Sequence, residues 1–125
     1  MAELFQALSQ RPNFVVFVIL FLWGIYIMAA HPNYVKKLIG LYIVQTSVLF
    51  FLVAFSAKDD ATVPIVSGEM ALLDAAAYAN PLPHVLTVTA IVVQIATLGV
   101  SLALVSGIYR KYGSLDEDEV VKKAE

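Results

Sequence analysis

The residues of this chain that could do chemistry inside its apolar stretches carry no formal charge. Its eight basic and ten acidic residues leave three long gaps: none lies between Arg11 and Lys36, between Lys37 and Lys58, or between Asp74 and Arg110. Within those gaps stand Gln45, Thr46 and Ser47, and then His84, Thr87, Gln94, Thr97 and Ser101. Amides and hydroxyls hydrogen bond and orient water but do not take up a proton near neutral pH. The imidazole of His84 suits a proton relay and equally suits a local interfacial hydrogen bond. There are no cysteines, so disulfides, thiol catalysis and cysteine–zinc sites are excluded. His31 and His84 are too few to bind a metal without carboxylate help. No nucleophile is paired with a base, and there is no glycine-rich phosphate loop or pair of membrane carboxylates. The expectation is a chain that is not an enzyme by itself and uses no cofactor or metal.

Spacing sharpens this. At 100° per residue, Thr87, Gln94, Thr97 and Ser101 fall within about 80° of arc, a polar stripe along one helix. In lipid such a stripe faces protein or water, because unpaired polar groups in hydrocarbon cost several kcal/mol. It serves either interhelical hydrogen bonding or the edge of a hydrated path. Gln45, Thr46 and Ser47 are consecutive and spread over roughly 200°, so at least one contacts a neighbour or bonds back to its own helix. Gly99, Ala103 and Gly107 form a small-residue ridge on another side of the same helix as Gln94, suited to close helix packing. Two faces of one helix built for protein contact exceed what a three-helix protein can cover, which points to a subunit of a larger complex.

The elements that must position these groups are membrane helices. The chain has 125 residues, 60% of them hydrophobic and 14% charged, against about 25% charged in soluble domains. The expected fold is an all-α membrane protein with three transmembrane helices in one domain, residues 1–125. Each charge-free gap can hold the roughly 20 residues that cross a bilayer, with spans expected at about 14–30, 37–57 and 84–109. Met1 to Gln10 reads as a short surface helix and the first span as retained rather than cleaved. Trp23 and Tyr26 sit inside that span and are expected to face neighbouring protein. His31-Pro32-Asn33 makes a turn, so the first two spans form an antiparallel pair. An outer loop covers 58–83, with a short helix expected over Met70 to Ala79. Pro81 and Pro83 suit a helix start. Lys36, Lys37, Arg110, Lys111, Lys122 and Lys123 share one side and only Arg11 and Lys58 the other. This places the N-terminus outside and the C-terminal tail, 110–125, in the cytoplasm. In the tail, Ser114 and Glu117 have capping-box spacing. Asp118 with Lys122 and Glu119 with Lys123 are i,i+4 pairs, so the acidic run reads as a helical tail rather than a cation site. A net charge of −2 gives no sign of nucleic-acid binding.

The third span and its approach carry a family resemblance. Asn80-Pro81-Leu82-Pro83-His84-Val85-Leu86-Thr87-Val88-Thr89-Ala90-Ile91-Val92-Val93 resembles the signature of the C subunit of Mrp-type multisubunit cation/proton antiporters, itself similar to the K subunit of respiratory complex I. Lys37-Leu38-Ile39-Gly40-Leu41 with Gln45-Thr46-Ser47-Val48, and the tail from Tyr112-Gly113 to Glu119, extend it to roughly residues 15 to 120. The resemblance implies three helices packed among larger antiporter subunits in a prokaryotic cytoplasmic membrane, and a share in exchanging sodium or another monovalent cation for protons. The titrating lysines and glutamates would then belong to the large partners. K-type subunits hold a glutamate in each of the second and third spans. The matching positions here are Tyr42 and Gln94, neither ionised at neutral pH, so a K-type proton relay through this chain is not expected.

The leading expectation is therefore a small subunit of a sodium/proton antiporter that packs between ion-translocating subunits and borders a hydrated path. Gln94, Thr87, Thr97, Ser101, Gln45, Thr46 and His84 are the path candidates. The alternative is a K-like subunit of a redox-driven arm, as in a membrane-bound hydrogenase or a complex I relative. A third possibility is a membrane assembly factor.

Overall fold

The computed structural model describes residues 1–57, 61 and 78–125, with the side chains of Ala7 and Leu8 left aside. Among the described residues it is all-helical: α1 (Ala2–Gln10), α2 (Pro12–Ala30), α3 (Tyr34–Ser56), α4 (Leu82–Tyr112) and α5 (Glu117–Ala124). The three long helices, α2, α3 and α4, are each long and apolar enough to cross a membrane. The short helix expected over Met70 to Ala79 falls almost wholly outside the described residues; Tyr78 and Ala79 are not helical.

Each helix begins where the chain supplies a substitute for its unpaired first N–H groups. Pro12 stands at the start of α2, where no N–H is needed. Asn33 caps α3 by accepting from Val35 N at 2.9 Å and Lys36 N at 3.4 Å. That cap starts the second span at Tyr34 instead of the expected Lys37. The Asn80 side chain accepts from Leu82 N at 3.1 Å, and α4 begins at Leu82 rather than His84. It runs to Tyr112, where Gly113 at φ 71° turns the chain into the left-handed region and its N–H closes on Tyr109 O at 2.7 Å.

The helices lie in a row with α3 in the middle, packed against α2 on one side and α4 on the other. The α2–α3 pair is antiparallel across the turn His31–Asn33. At the end away from the turn it is filled by rings: Phe51 lies 5.5 Å from Phe14 and 4.7 Å from Phe17, centroid to centroid. Toward the turn the filling is backbone. A Cβ placed on Gly24 would sit 2.9 Å from Gly40 O, and one on Gly40 would sit 2.9 Å from Gly24 O. Large rings at one end and two glycines at the other make the helices converge toward the turn.

The turn end is tied to the tail. Tyr34 N donates to Leu115 O at 3.0 Å and Glu117 N donates to Pro32 O at 2.9 Å, an antiparallel bridge centred on Asn33 and Asp116. Lys37 Nζ pairs with Glu117 at 2.6 Å, and Val120 of α5 is buried. The expected capping box is corrected here. Asp116 is held extended by that bridge, with φ −84° and ψ 126°, so Ser114 cannot start a helix. The N-cap is Asp116, which accepts from Asp118 N at 3.2 Å, while Ser114 Oγ accepts from Asp116 N. Glu117 reaches Lys37 instead of closing the box, and Lys123 donates to Tyr112 O at 2.9 Å instead of pairing with Glu119. Both ends of the Lys37–Glu117 pair are partly exposed, so its contribution is about 0.2–1 kcal/mol. Glu117→Lys is expected to loosen α5 and raise tryptic cleavage at Lys122 and Lys123. Adding Lys37→Glu should restore protection, and cleavage unchanged by either variant would show that the backbone bridge alone holds the tail.

Candidate functional site

The polar groups of the spans meet on the seam between α3 and α4. Along α4, Thr87, Ala90, Gln94, Leu98, Ser101, Val105 and Ile108 are buried or half-buried, while the positions between them are exposed. The steps are of three or four residues and average the 3.5 of a coiled-coil seam, with two fours in succession from Ala90 through Gln94 to Leu98. One position of that repeat is polar three times running: Thr87, Gln94 and Ser101.

Two side-chain bonds cross the seam. Gln94, 8% exposed, donates from Nε2 to Thr46 Oγ1 at 3.2 Å. Ser56 Oγ lies 3.1 Å from His84 Nδ1. The two contacts are ten residues apart on both helices, about 15 Å along each axis, so the antiparallel register holds between them without slip. Thr46 also donates to Tyr42 O at 2.9 Å. A hydroxyl has one proton and two lone pairs, so Thr46 passes its proton to its own helix and accepts the amide of the next. Ser56 likewise lies 2.7 Å from Val53 O. With that proton on Val53, His84 Nδ1 is the donor to Ser56.

The expected stripe divides. Thr87, Gln94 and Ser101 lie on the seam, with Thr87 bonded back to His84 O. Thr97 is exposed and bonds back to Val93 O and Gln94 O, each at 3.0 Å. Of the consecutive trio in α3, Gln45 is half-buried, Thr46 faces α4, and Ser47 is fully buried and bonded to Val44 O at 2.7 Å. Among the described residues, no buried side-chain nitrogen or oxygen lacks a partner. Tyr42 and Gln94, the positions at which the resemblance places glutamates, share this seam: Thr46 bonds the Tyr42 carbonyl and the Gln94 amide at once. The arrangement is a neutral chain of dipoles. Its amides and hydroxyls can hold and orient water but do not take up a proton.

The close-packing glycines within the chain are Gly24 and Gly40. Gly99 and Gly107 have nothing within 4 Å of an added Cβ, and Ala103 is exposed. That ridge faces away from the other described residues. Sequence reasoning missed the Gly24–Gly40 crossing, although each is the lone glycine of its span. It also missed Ser56, which nothing but the α3–α4 register would reveal. Trp23 and Tyr26 are 61% and 66% exposed, so the described residues leave most of each side chain uncovered. Only 6%, 11% and 11% of the most apolar stretches of α2, α3 and α4 are buried within the chain.

Three spans, a polar seam and helix faces largely uncovered define the class of small membrane subunits of larger complexes. The chain belongs to the NADH-ubiquinone/plastoquinone oxidoreductase chain 4L family, whose model matches residues 12–123. It is 30% identical over 115 residues to the uncharacterized protein MJ1310 of Methanocaldococcus jannaschii, covering 91% of this chain and 89% of that one. Its structure is similar to a chain in the membrane-bound sulfane sulfur reductase, an archaeal respiratory membrane complex. That match has a TM-score of 0.73 and 32% identity, and covers 86% of this chain and 94% of the other.

Proposed function

We propose that the chain is a non-catalytic subunit of a multisubunit monovalent cation (sodium)/proton antiporter in a prokaryotic cytoplasmic membrane. Its N-terminus lies outside and its tail in the cytoplasm. It packs between larger ion-translocating subunits and borders a hydrated path along the α3–α4 seam. The observation that carries this reading is the Gln94–Thr46 contact: a satisfied neutral polar pair at mid-span, beside a helix whose other face is bare. Thr87 and Ser101 continue that edge, with His84 at its outer mouth. The Gly99, Ala103 and Gly107 ridge receives a partner helix. The ions are held by carboxylates and lysines of the partners, since a span without charge offers only dipoles.

A second reading is favoured by the family and by the likeness to a sulfane sulfur reductase chain: a K-like subunit of a redox-driven arm. The same seam would then border a path driven by electron transfer in other chains. The two differ in what starts ion movement. The purified complex in sealed vesicles should exchange sodium for protons under an imposed gradient alone if it is an antiporter. Movement that begins only when an electron donor is supplied supports the redox arm. Within either complex, Gln94→Leu is expected to slow ion movement on the order of tenfold with assembly intact, equivalent to about 1.4 kcal/mol on the barrier. Unchanged transport would sink the path-bordering role and leave a scaffold.

A further inference from the structure

The N-terminal helix α1 lies outside the stretch that the family model matches, which begins at Pro12. Its purpose is therefore not given by membership of the family. The chain leaves helical geometry at Arg11, with φ −133° and ψ 70°, so α1 turns off the first span at an elbow. Leu4 and Phe5 of α1 are 63% and 79% exposed. An open groove of about 550 Å³ fills the crook, lined by Phe5 and Ser9 from α1 and by Pro12, Val15 and Val16 from α2. Its lining is almost wholly hydrocarbon. Ser9 is the one polar side chain of that lining, and Arg11, which does not line the groove, is exposed at the elbow next to Pro12.

The groove also has a fixed depth. Arg11 is the last charged residue before the first gap, so the crook sits where hydrocarbon gives way to headgroups. A short helix with apolar residues on one side lies in that boundary plane. Arg11 extends its charge to the headgroup level from there. The acid of α1, Glu3, is in its first turn, two helical turns from the elbow, so the rim of the groove is net positive. Hydrocarbon below and one guanidinium above match an amphiphile with an apolar tail and an anionic head. A guanidinium binds phosphate oxygens in a fixed fork geometry.

We propose that the α1–α2 elbow is a binding site for an anionic membrane phospholipid. Its hydrocarbon chain lies between Phe5 and Val15/Val16, and its phosphate sits on Arg11 beside the Ser9 hydroxyl. The site anchors the N-terminal helix to the bilayer surface independently of what the α3–α4 seam does.

The test uses the intact complex in bilayer nanodiscs doped with a phospholipid carrying a photoreactive group on its tail. One set has an anionic phosphatidylglycerol head and one a zwitterionic phosphatidylcholine head. The peptide containing Phe5 to Val16 is expected to be labelled about fivefold more by the anionic probe, the ratio set by one cation at an anionic surface. Arg11→Gln should remove that preference while leaving the complex assembled. Val16→Trp, which fills the groove, should lower labelling by both probes. Phe5→Ser opens the groove from α1, outside the spans, and reports the same loss if Val16→Trp prevents assembly. Equal labelling by both heads in the wild-type complex overturns the proposal. So does labelling that survives both groove variants, or capture of this peptide by a neighbouring protein subunit in place of lipid.

Discussion

Gly24→Leu is expected to prevent this chain from entering its complex, and Gly24→Ala to weaken it measurably. The reason is the identity of the atoms that a new side chain would meet. A Cβ on Gly24 would lie 2.6 Å from Val44 Cγ2, 2.9 Å from Gly40 O and 3.0 Å from Val44 N. The valine methyl can move; the carbonyl and amide belong to the α3 backbone and move only if the whole helix does. Overfilling a packed interface costs about 1–3 kcal/mol. That range suits alanine here, and leucine exceeds it because its branches have no space to turn into. Val44→Ala in the Gly24→Ala background should recover only part of the loss, since the Gly40 carbonyl remains. Gly99→Ala and Gly107→Ala give the control. Both positions are open within the chain, so the chain alone in detergent should tolerate them without change. The readouts are thermal stability of the purified chain and the amount recovered with the complex. Gly24→Ala as stable as wild type would mean that the helices do not cross where the two glycines meet. A drop in recovery from Gly99→Ala, with the chain itself stable, would identify the ridge as a seat for a partner helix.

The three spans were legible because charge is so costly in hydrocarbon that its absence marks them. The ends were less so. The second span starts at Tyr34 because Asn33 caps it, an event decided by one side chain four residues before the first expected helical position. Ser114 and Glu117 have capping-box spacing, and the structure instead couples the tail to the turn through Pro32, Asn33 and Lys37. No local pattern carries that, since the partners are some eighty residues apart. In the candidate site, angular spacing grouped Thr87, Gln94, Thr97 and Ser101. The seam steps four residues from Gln94 to Leu98 instead of three, and this leaves Thr97 exposed beside it. Which hydroxyl would meet Gln94 depended on the α3–α4 register, and the sequence does not encode that register in any single residue.

Thr46→Val is expected to be more damaging than Gln94→Leu, although the two residues share one hydrogen bond. Thr46 keeps a partner when Gln94 is removed, because its hydroxyl donates to Tyr42 O at 2.9 Å. It loses only an accepted bond, worth around 0.6 kcal/mol between membrane helices. Removing Thr46 instead leaves the Gln94 amide at an 8% exposed position without the acceptor it uses in the chain. An amide stranded in this way costs about 1–3 kcal/mol. The double variant should return close to wild-type stability, since no polar group is then left unpaired. Stability can be read as the temperature at which the chain leaves the complex, and the excess of the Thr46→Val loss over the double variant is the coupling. Equal and small losses for both single variants would show that Gln94 finds another partner once Thr46 is gone. In a charge-free seam that partner is water or a neighbouring subunit. Transport then separates the two. A water-filled path keeps its rate in Thr46→Val and loses it in Gln94→Leu, whereas a packing contact to a neighbour leaves the rate unchanged in both.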